Sequence, residues 1–358
     1  MSKKTILTIN PGSTSTKIAV YQSNDLAFLK NIKHASEEID QFEHIPDQYD
    51  YRKNIIIREL EEARIDIKCI QIIVARGGLI KPIPSGVYEV NERMKEDLRK
   101  GILGQHASNL GGLIADEIAK ITGAKAYIAD PVVVDELQDV ARITGHPNFK
   151  RVSVFHALNQ KAIARMHALA TGKKYEDLNL IVVHLGGGIS IGAHKKGRVI
   201  DVNQALDGEG PFSPERSGTL PAGDLVRMCF SGQYTQKEIL KMITGKGGFV
   251  AYLGTNNAYD VEQLVNSGDE QAALIQEAMA YQVAKEIGAM AVVLDCTVDS
   301  ILITGGIAYN KWFVNYIKQK VQHIAPVGIY PGEDEMRALA LNGLMVLEGE
   351  IQPLEYNY

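Results

Sequence analysis

Ile6-Leu7-Thr8-Ile9-Asn10-Pro11-Gly12-Ser13-Thr14-Ser15-Thr16-Lys17 runs from a buried-strand pattern into a turn far more polar than a hairpin requires. Residues 5–9 are short, apolar and β-branched, residues 10–16 are small and polar, and residues 17–21 resume an extended pattern, which predicts a β-hairpin. A structural turn needs little beyond a glycine or an asparagine. Here Asn10, Ser13, Ser15 and Lys17 place an amide, two hydroxyls and an ammonium in one hairpin, a donor set that suits phosphate oxygens.

The same unit recurs. Residues 180–185 form a second apolar run, Gly186-Gly187-Gly188 a second turn, and residues 189–193 alternate again before Lys195-Lys196-Gly197. A third buried-strand pattern, residues 300–304, stops at Gly305-Gly306 and gives way to a helical stretch over 312–321. Helical periodicity over 110–121, 269–293 and 335–347, with further strands at 70–74 and 126–128, makes the chain α/β. One strand-turn-strand unit near the start of each half predicts two similar domains, with a boundary near residue 150. Three glycine-rich turns suit a nucleotide. No G-x-x-x-x-G-K-[ST] occurs, and Gly186-Gly187-Gly188 leads into an alternating stretch rather than a helix, which argues against both a P-loop and a dinucleotide fold.

A length of 358 residues suits two domains of roughly 150 to 200 residues each. The net charge of -5 provides no global field for nucleic acid or an anionic membrane, so any anion must be held by a local site. Cys69, Cys229 and Cys296 form no C-x-x-C pair, which fits a reducing cytoplasm, and no run approaches the about 20 apolar residues that span a bilayer.

The N-terminal stretch quoted above resembles the signature of the acetate and butyrate kinase family, part of the actin-like ATPase superfamily. The resemblance continues along nearly the whole chain. His184-Leu185-Gly186-Gly187-Gly188-Ile189-Ser190 resembles the family's second phosphate motif, Arg216-Ser217-Gly218 its arginine motif, and Ile303-Thr304-Gly305-Gly306-Ile307 its adenosine motif. Departures from the acetate branch point to the butyrate branch: Gly187 stands where acetate kinases carry Asn, and Pro214-Glu215 precedes the arginine in place of Gly-Thr. The family's H-R-V-V-H-G-G segment reads Ile72-Ile73-Val74-Ala75-Arg76-Gly77-Gly78 here, so the first arginine moves, with Arg76 the candidate for its charge.

The resemblance implies two actin-like, ribonuclease H-like domains, residues 1–150 and 151–336, with an ATP cleft between them and a C-terminal helix, residues 337–358, completing the first. It implies transfer of a phosphoryl group from ATP to butyrate, with isobutyrate or propionate as alternatives, in a cytoplasmic homo-oligomer built from dimers. Sugar kinases, ATP-driven binding modules and filament-forming proteins of the same superfamily are the rivals. Arg216, His184, Asp130 and Arg76 are the expected catalytic residues. Asn10, Ser13, Ser15, Lys17 and Gly186, Gly187 and Gly188 are expected at the phosphates, and Gly305, Gly306 and Asn310 at the adenosine. His156 and Asn159, in Phe155-His156-Ala157-Leu158-Asn159, resemble the family's F-H-G-T-S-H segment and are further site residues. Glu335 is expected to act on Mg²⁺ through water, with Glu333 and Asp334 as neighbouring alternatives.

Overall fold

The computed structural model describes residues 3–358. Its contacts divide the chain into two compact units: the described part of Met1–Val134 with Asp334–Tyr358, and Asp135–Glu333.

In the first unit, β1 (Thr5–Pro11), β2 (Ser15–Gln22), β3 (Asp25–Lys33), β4 (Ile72–Arg76), β5 (Val87–Glu89) and β6 (Lys125–Ala129) form one sheet in the order β3-β2-β1-β4-β6-β5. The first three strands are an antiparallel meander, and β4 and β6 then add in parallel on the other side of β1. Parallel strands covered on both faces are apolar throughout, and Ile72, Ile73, Val74 and Ala75 are all buried. Alternation sorts them between two covering helices. Leu7, Ile9, Ile73 and Ala75 share a core with Leu110, Ile114 and Ile118 of helix Asn109–Thr122. Ile6, Ile72 and Val74 face Gly343 of helix Glu335–Glu348, where an added Cβ would lie 2.9 Å from Val74 Cγ2 and 3.1 Å from Ile6 Cγ2.

The C-terminal tail then pairs with this sheet. Leu354 N–H donates to the Val87 carbonyl at 2.7 Å, and the Leu354 carbonyl accepts from Glu89 N–H at 3.1 Å. Tyr356 is fully buried, with its hydroxyl donating to Asp97 Oδ2 at 2.7 Å and accepting from Lys81 N–H at 3.2 Å. Tyr356→Phe removes both bonds and leaves the buried Asp97 carboxylate without this donor. A loss of about 1–3 kcal/mol is expected, read as a lower urea midpoint with an unchanged slope.

In the second unit, β7 (Asn179–Leu185), β8 (Ile189–Lys195), β9 (Arg198–Val202), β10 (Ser300–Gly305) and β11 (Val327–Pro331) run in the order β11-β10-β7-β8-β9. Again a meander comes first, and two strands then add in parallel beside the first strand. The topology of β3-β2-β1-β4-β6 is thus repeated as β9-β8-β7-β10-β11. All seven residues of β7 are buried. Helix Glu270–Val293 makes the crossover to β10, and Asp269 caps its start by accepting from Ala272 N–H at 2.9 Å.

Residues 135–150 depart from the expected boundary. Gln138 N–H donates to the Ile200 carbonyl at 3.0 Å, and Glu136 Oε2 takes Val199 N–H at 2.8 Å and Lys161 Nζ at 2.7 Å. These bonds attach the segment to the second sheet, so the division falls after Val134 rather than near 150.

Candidate active site

β1, β4 and β6 are neighbours and parallel, so their carboxyl ends line up on one edge, where open α/β sheets bind ligands. Each carries a polar residue at this end: Asn10 next to last on β1, Arg76 last on β4 and Asp130 directly after β6. Glu335, at the start of the C-terminal helix, joins two of them. Asn10 Nδ2 donates to Glu335 Oε2, and Arg76 Nη1 lies 3.2 Å from Glu335 Oε1 and 3.4 Å from Oε2. Asp130 is buried, and its Oδ1 accepts from Ser85 Oγ at 2.6 Å and from Gly86 N–H at 2.9 Å. Its φ of 37° lies in the left-handed region, a cost of about 1 kcal/mol for a residue with a Cβ.

The β1–β2 turn stands at the same edge. Asn10 is directly opposite Lys17, so both side chains share one face of the hairpin. Gly12 N–H closes the turn on the Ser15 carbonyl at 2.7 Å. Ser13 and Thr14 are exposed, and among the described residues no acceptor is bonded to their N–H groups. Beneath the turn lies a residue that the sequence reading passed over: Arg52, on helix Tyr49–Glu62, donates to the carbonyls of Gly12, Ser13 and Ser15.

In the second unit the β7–β8 turn organises the remaining residues. His184, on β7, is 1% exposed and donates from Nδ1 to Asn159 Oδ1 at 2.8 Å. His156 stacks on it with ring centroids 3.8 Å apart and planes at 12°, and its own Nδ1 is 2.9 Å from Ser190 Oγ on β8. The sequence-predicted His184, His156 and Asn159 are therefore one cluster. The glycines of the turn border it: a Cβ on Gly186 would sit 2.9 Å from His184 Nε2.

Arg216 lies at the other end of the same turn. A Cβ on Gly188 would collide with its Nη1 and lie 2.6 Å from its Cζ. Nη1 donates to the Ala205 carbonyl, whereas Nε is buried with no hydrogen-bond partner. Burial pulls the Arg216 pKa below the usual arginine value, opposed by the neighbouring Glu215 carboxylate. A desolvated guanidinium with an unspent N–H is a strong anion donor. The loop is held from behind, with Ser213 N–H on the Arg216 carbonyl and Ser217 N–H on the Ile243 carbonyl, both at 3.0 Å.

The three consecutive acids have three separate positions. Glu333 Oε1 lies 3.8 Å from His184 Nε2 in the second unit. Asp334 caps the C-terminal helix by accepting from Arg337 N–H at 2.9 Å. Glu335 alone reaches Asn10 and Arg76. Of the adenosine candidates, Asn310 caps helix Lys311–Val321 through Phe313 N–H at 2.9 Å, and Gly306 has no atom within 4 Å of an added Cβ. Gly305 is set by packing, because its missing side chain leaves room for the Leu185 backbone.

Two α/β units of one topology each carry a small-residue hairpin turn with arginine, histidine or carboxylate groups beside it, an arrangement suited to binding a phosphorylated ligand. The family model described as the Acetokinase family matches residues 149–345. Butyrate kinase 2 and butyrate kinase 1 of Clostridium acetobutylicum are each 57% identical to this chain over 351 residues, covering 98% of it and 99% of each relative. The chain belongs to the acetokinase family. The solved acetate kinase of Porphyromonas gingivalis superposes with a TM-score of 0.79 at 17% identity, over 96% of this chain and 100% of that one, which shows the shared fold. No helix among the described residues is long and apolar enough to cross a membrane.

Proposed function

We propose that this kinase transfers the γ-phosphoryl group of ATP to a short-chain carboxylate, with butyrate as the acid, giving ADP and butanoyl phosphate. The single observation that carries the site reading is Arg216, half-buried against the glycine turn with its Nε buried and unpartnered. The choice of acid is supported by the two butyrate kinases at 57% identity.

A carboxylate is already an oxyanion at neutral pH. One of its oxygens bonds to the γ-phosphorus as the bond to the bridging oxygen of ADP breaks, and no proton moves. The obstacle is repulsion between anions, which fixed cations and N–H donors relieve as charge spreads over the transferring oxygens. Arg216, His184 and Arg76 take that role, with Asp130 orienting groups around them. Asn10, Ser13, Ser15, Lys17 and the glycines 186–188 hold the phosphates, and Gly305, Gly306 and Asn310 the adenosine. Asn159 fixes the His184 tautomer by accepting from Nδ1, and His156 supports its ring.

Among the described residues no cluster of three His, Cys, Asp or Glu could hold a metal alone. Mg²⁺ keeps its waters and takes one or two carboxylates beside substrate phosphates. Glu335 is the carboxylate assigned to it, through water. When bound, the ion neutralises charge on the phosphates. The free, exposed Cys69, Cys229 and Cys296 suit a reducing cytoplasm, and the assembly assigned to the enzyme is a homo-oligomer built from dimers.

The test is trapping of acyl phosphate with hydroxylamine in the presence of Mg-ATP and acetate, propionate, butyrate, isobutyrate or glycerol. Hydroxamate should peak at four carbons, with overlap among neighbours because one methylene is worth only about 1–3 kcal/mol. ATP hydrolysis with no hydroxamate from any acid would replace the kinase reading with a nucleotide-driven binding module.

A further inference from the structure

Arg52 is 1% exposed, and its whole guanidinium is bonded. Nη1 donates to the Gly12 carbonyl at 2.7 Å, Thr16 Oγ1 at 3.1 Å and the Ser15 carbonyl at 3.2 Å. Nη2 donates to Gln48 Oε1 at 2.8 Å and the Ser13 carbonyl at 3.0 Å, and Nε to Gln48 Oε1 at 3.2 Å. Every acceptor is neutral. Burial lowers the Arg52 pKa to about 10, opposed by Tyr51. The cation therefore persists at neutral pH. Nearby His34, whose Nε2 is 2.8 Å from Thr16 Oγ1, is held neutral, its pKa lowered to about 4 by burial and by Arg52.

A buried arginine is ordinarily paired with a carboxylate, because an unpaired charge in the interior is costly. Glutamate in place of Gln48 would supply that pair with the same shape, yet position 48 is an amide. Two consequences follow for the turn above. Three of its carbonyls are drawn inward, which turns the N–H groups of Ser13 and Thr14, on the far side of the Gly12 and Ser13 peptides, away from Arg52 and leaves them without an acceptor among the described residues. An uncompensated positive charge also lies directly beneath them.

We propose that Arg52 is a positioning residue that shapes and charges the residue 10–17 turn for the phosphates of ATP, and that Gln48 is an amide so that this charge stays unpaired. The proposal rests on the reading that this turn holds phosphate. Gln48→Glu separates charge from geometry, because it keeps both hydrogen bonds and cancels the field. ATP and adenosine binding, by titration calorimetry, and the KM values for ATP and the acid are compared in the wild type, Gln48→Glu and Arg52→Lys.

For Gln48→Glu the expected result is an unchanged or raised thermal midpoint, ATP bound about tenfold more weakly, and adenosine binding and the KM for the acid within about twofold. Arg52→Lys, which keeps the charge and loses the fork, should also raise the KM for ATP more than it lowers kcat. Unchanged ATP affinity in Gln48→Glu, or equal losses for ATP and adenosine, would overturn the proposal and leave Arg52 a structural clamp. A wild type that binds ATP but forms no acyl phosphate would remove the kinase reading without touching this comparison.

Discussion

Arg216→Ala is expected to lower kcat for acyl phosphate formation by about a thousandfold, with a thermal midpoint no lower than that of the wild type. The size follows from loss of a preorganised cation at a charge-spreading transition state, typically a factor of about 10²–10³ for one donor and more for a full charge. The midpoint is held up by the partial burial of the guanidinium. Desolvation is the larger influence on the Arg216 pKa, and Nε finds no partner in the folded protein. The folded state thus carries this cation at a cost that alanine removes, set against the lost bond from Nη1 to the Ala205 carbonyl and the lost packing on Gly188. Arg216→Lys should recover less than a tenth of the lost rate, because an ammonium cannot both bond Ala205 and present a second donor in the guanidinium plane. Initial hydroxamate rates at saturating ATP and acid provide the measurement. A loss below tenfold in the alanine variant would remove Arg216 from the transition state.

Gly305→Ala is expected to destabilise the protein by about 3 kcal/mol or more, and to depress activity in whatever fraction remains folded. Gly305 has φ 93° and ψ 173°, a backbone region open essentially to glycine alone. An added Cβ would also lie 2.6 Å from the Leu185 carbonyl carbon and 2.7 Å from Leu185 N. These are backbone atoms of β7, which cannot rotate away. The residue is further locked by its paired bonds with Gly332, at 3.1 Å and 2.9 Å. Displacing Leu185 displaces His184 before it and the glycine turn after it, so stability and chemistry should fall together. Gly306→Ala is the control. Nothing lies within 4 Å of its added Cβ, so its urea midpoint should stay within about 0.5 kcal/mol of the wild type. Equal losses in the two variants would show that the clash at Leu185 does not govern stability.

The two hairpins were legible because each strand pattern meets a turn whose composition no ordinary hairpin needs. β1, β7 and β10 are buried on both faces, and their apolar runs announce them. β3 was passed over for the opposite reason. It sits at the sheet edge, eight of its nine residues are at least partly exposed, and its sequence carries no alternation to read. The bonds of residues 135–150 to β9 and its neighbours were equally silent, since nothing in their composition marks which sheet they join.

Local composition was sufficient for the α/β class, the repeated strand-turn-strand unit and most of the polar residues at the strand ends. Those features depend on residues within a few positions of one another, where periodicity and turn chemistry act directly. Only the tertiary structure separated Glu333, Asp334 and Glu335, because adjacent acids at a helix start differ in direction and not in kind. Only it showed that Gly305 answers to Leu185, and that Arg52 reaches back 36 to 40 residues to the turn. Such contacts are made by chain segments that folding brings together, and a desolvated charge or a forbidden Cβ exists only after they meet.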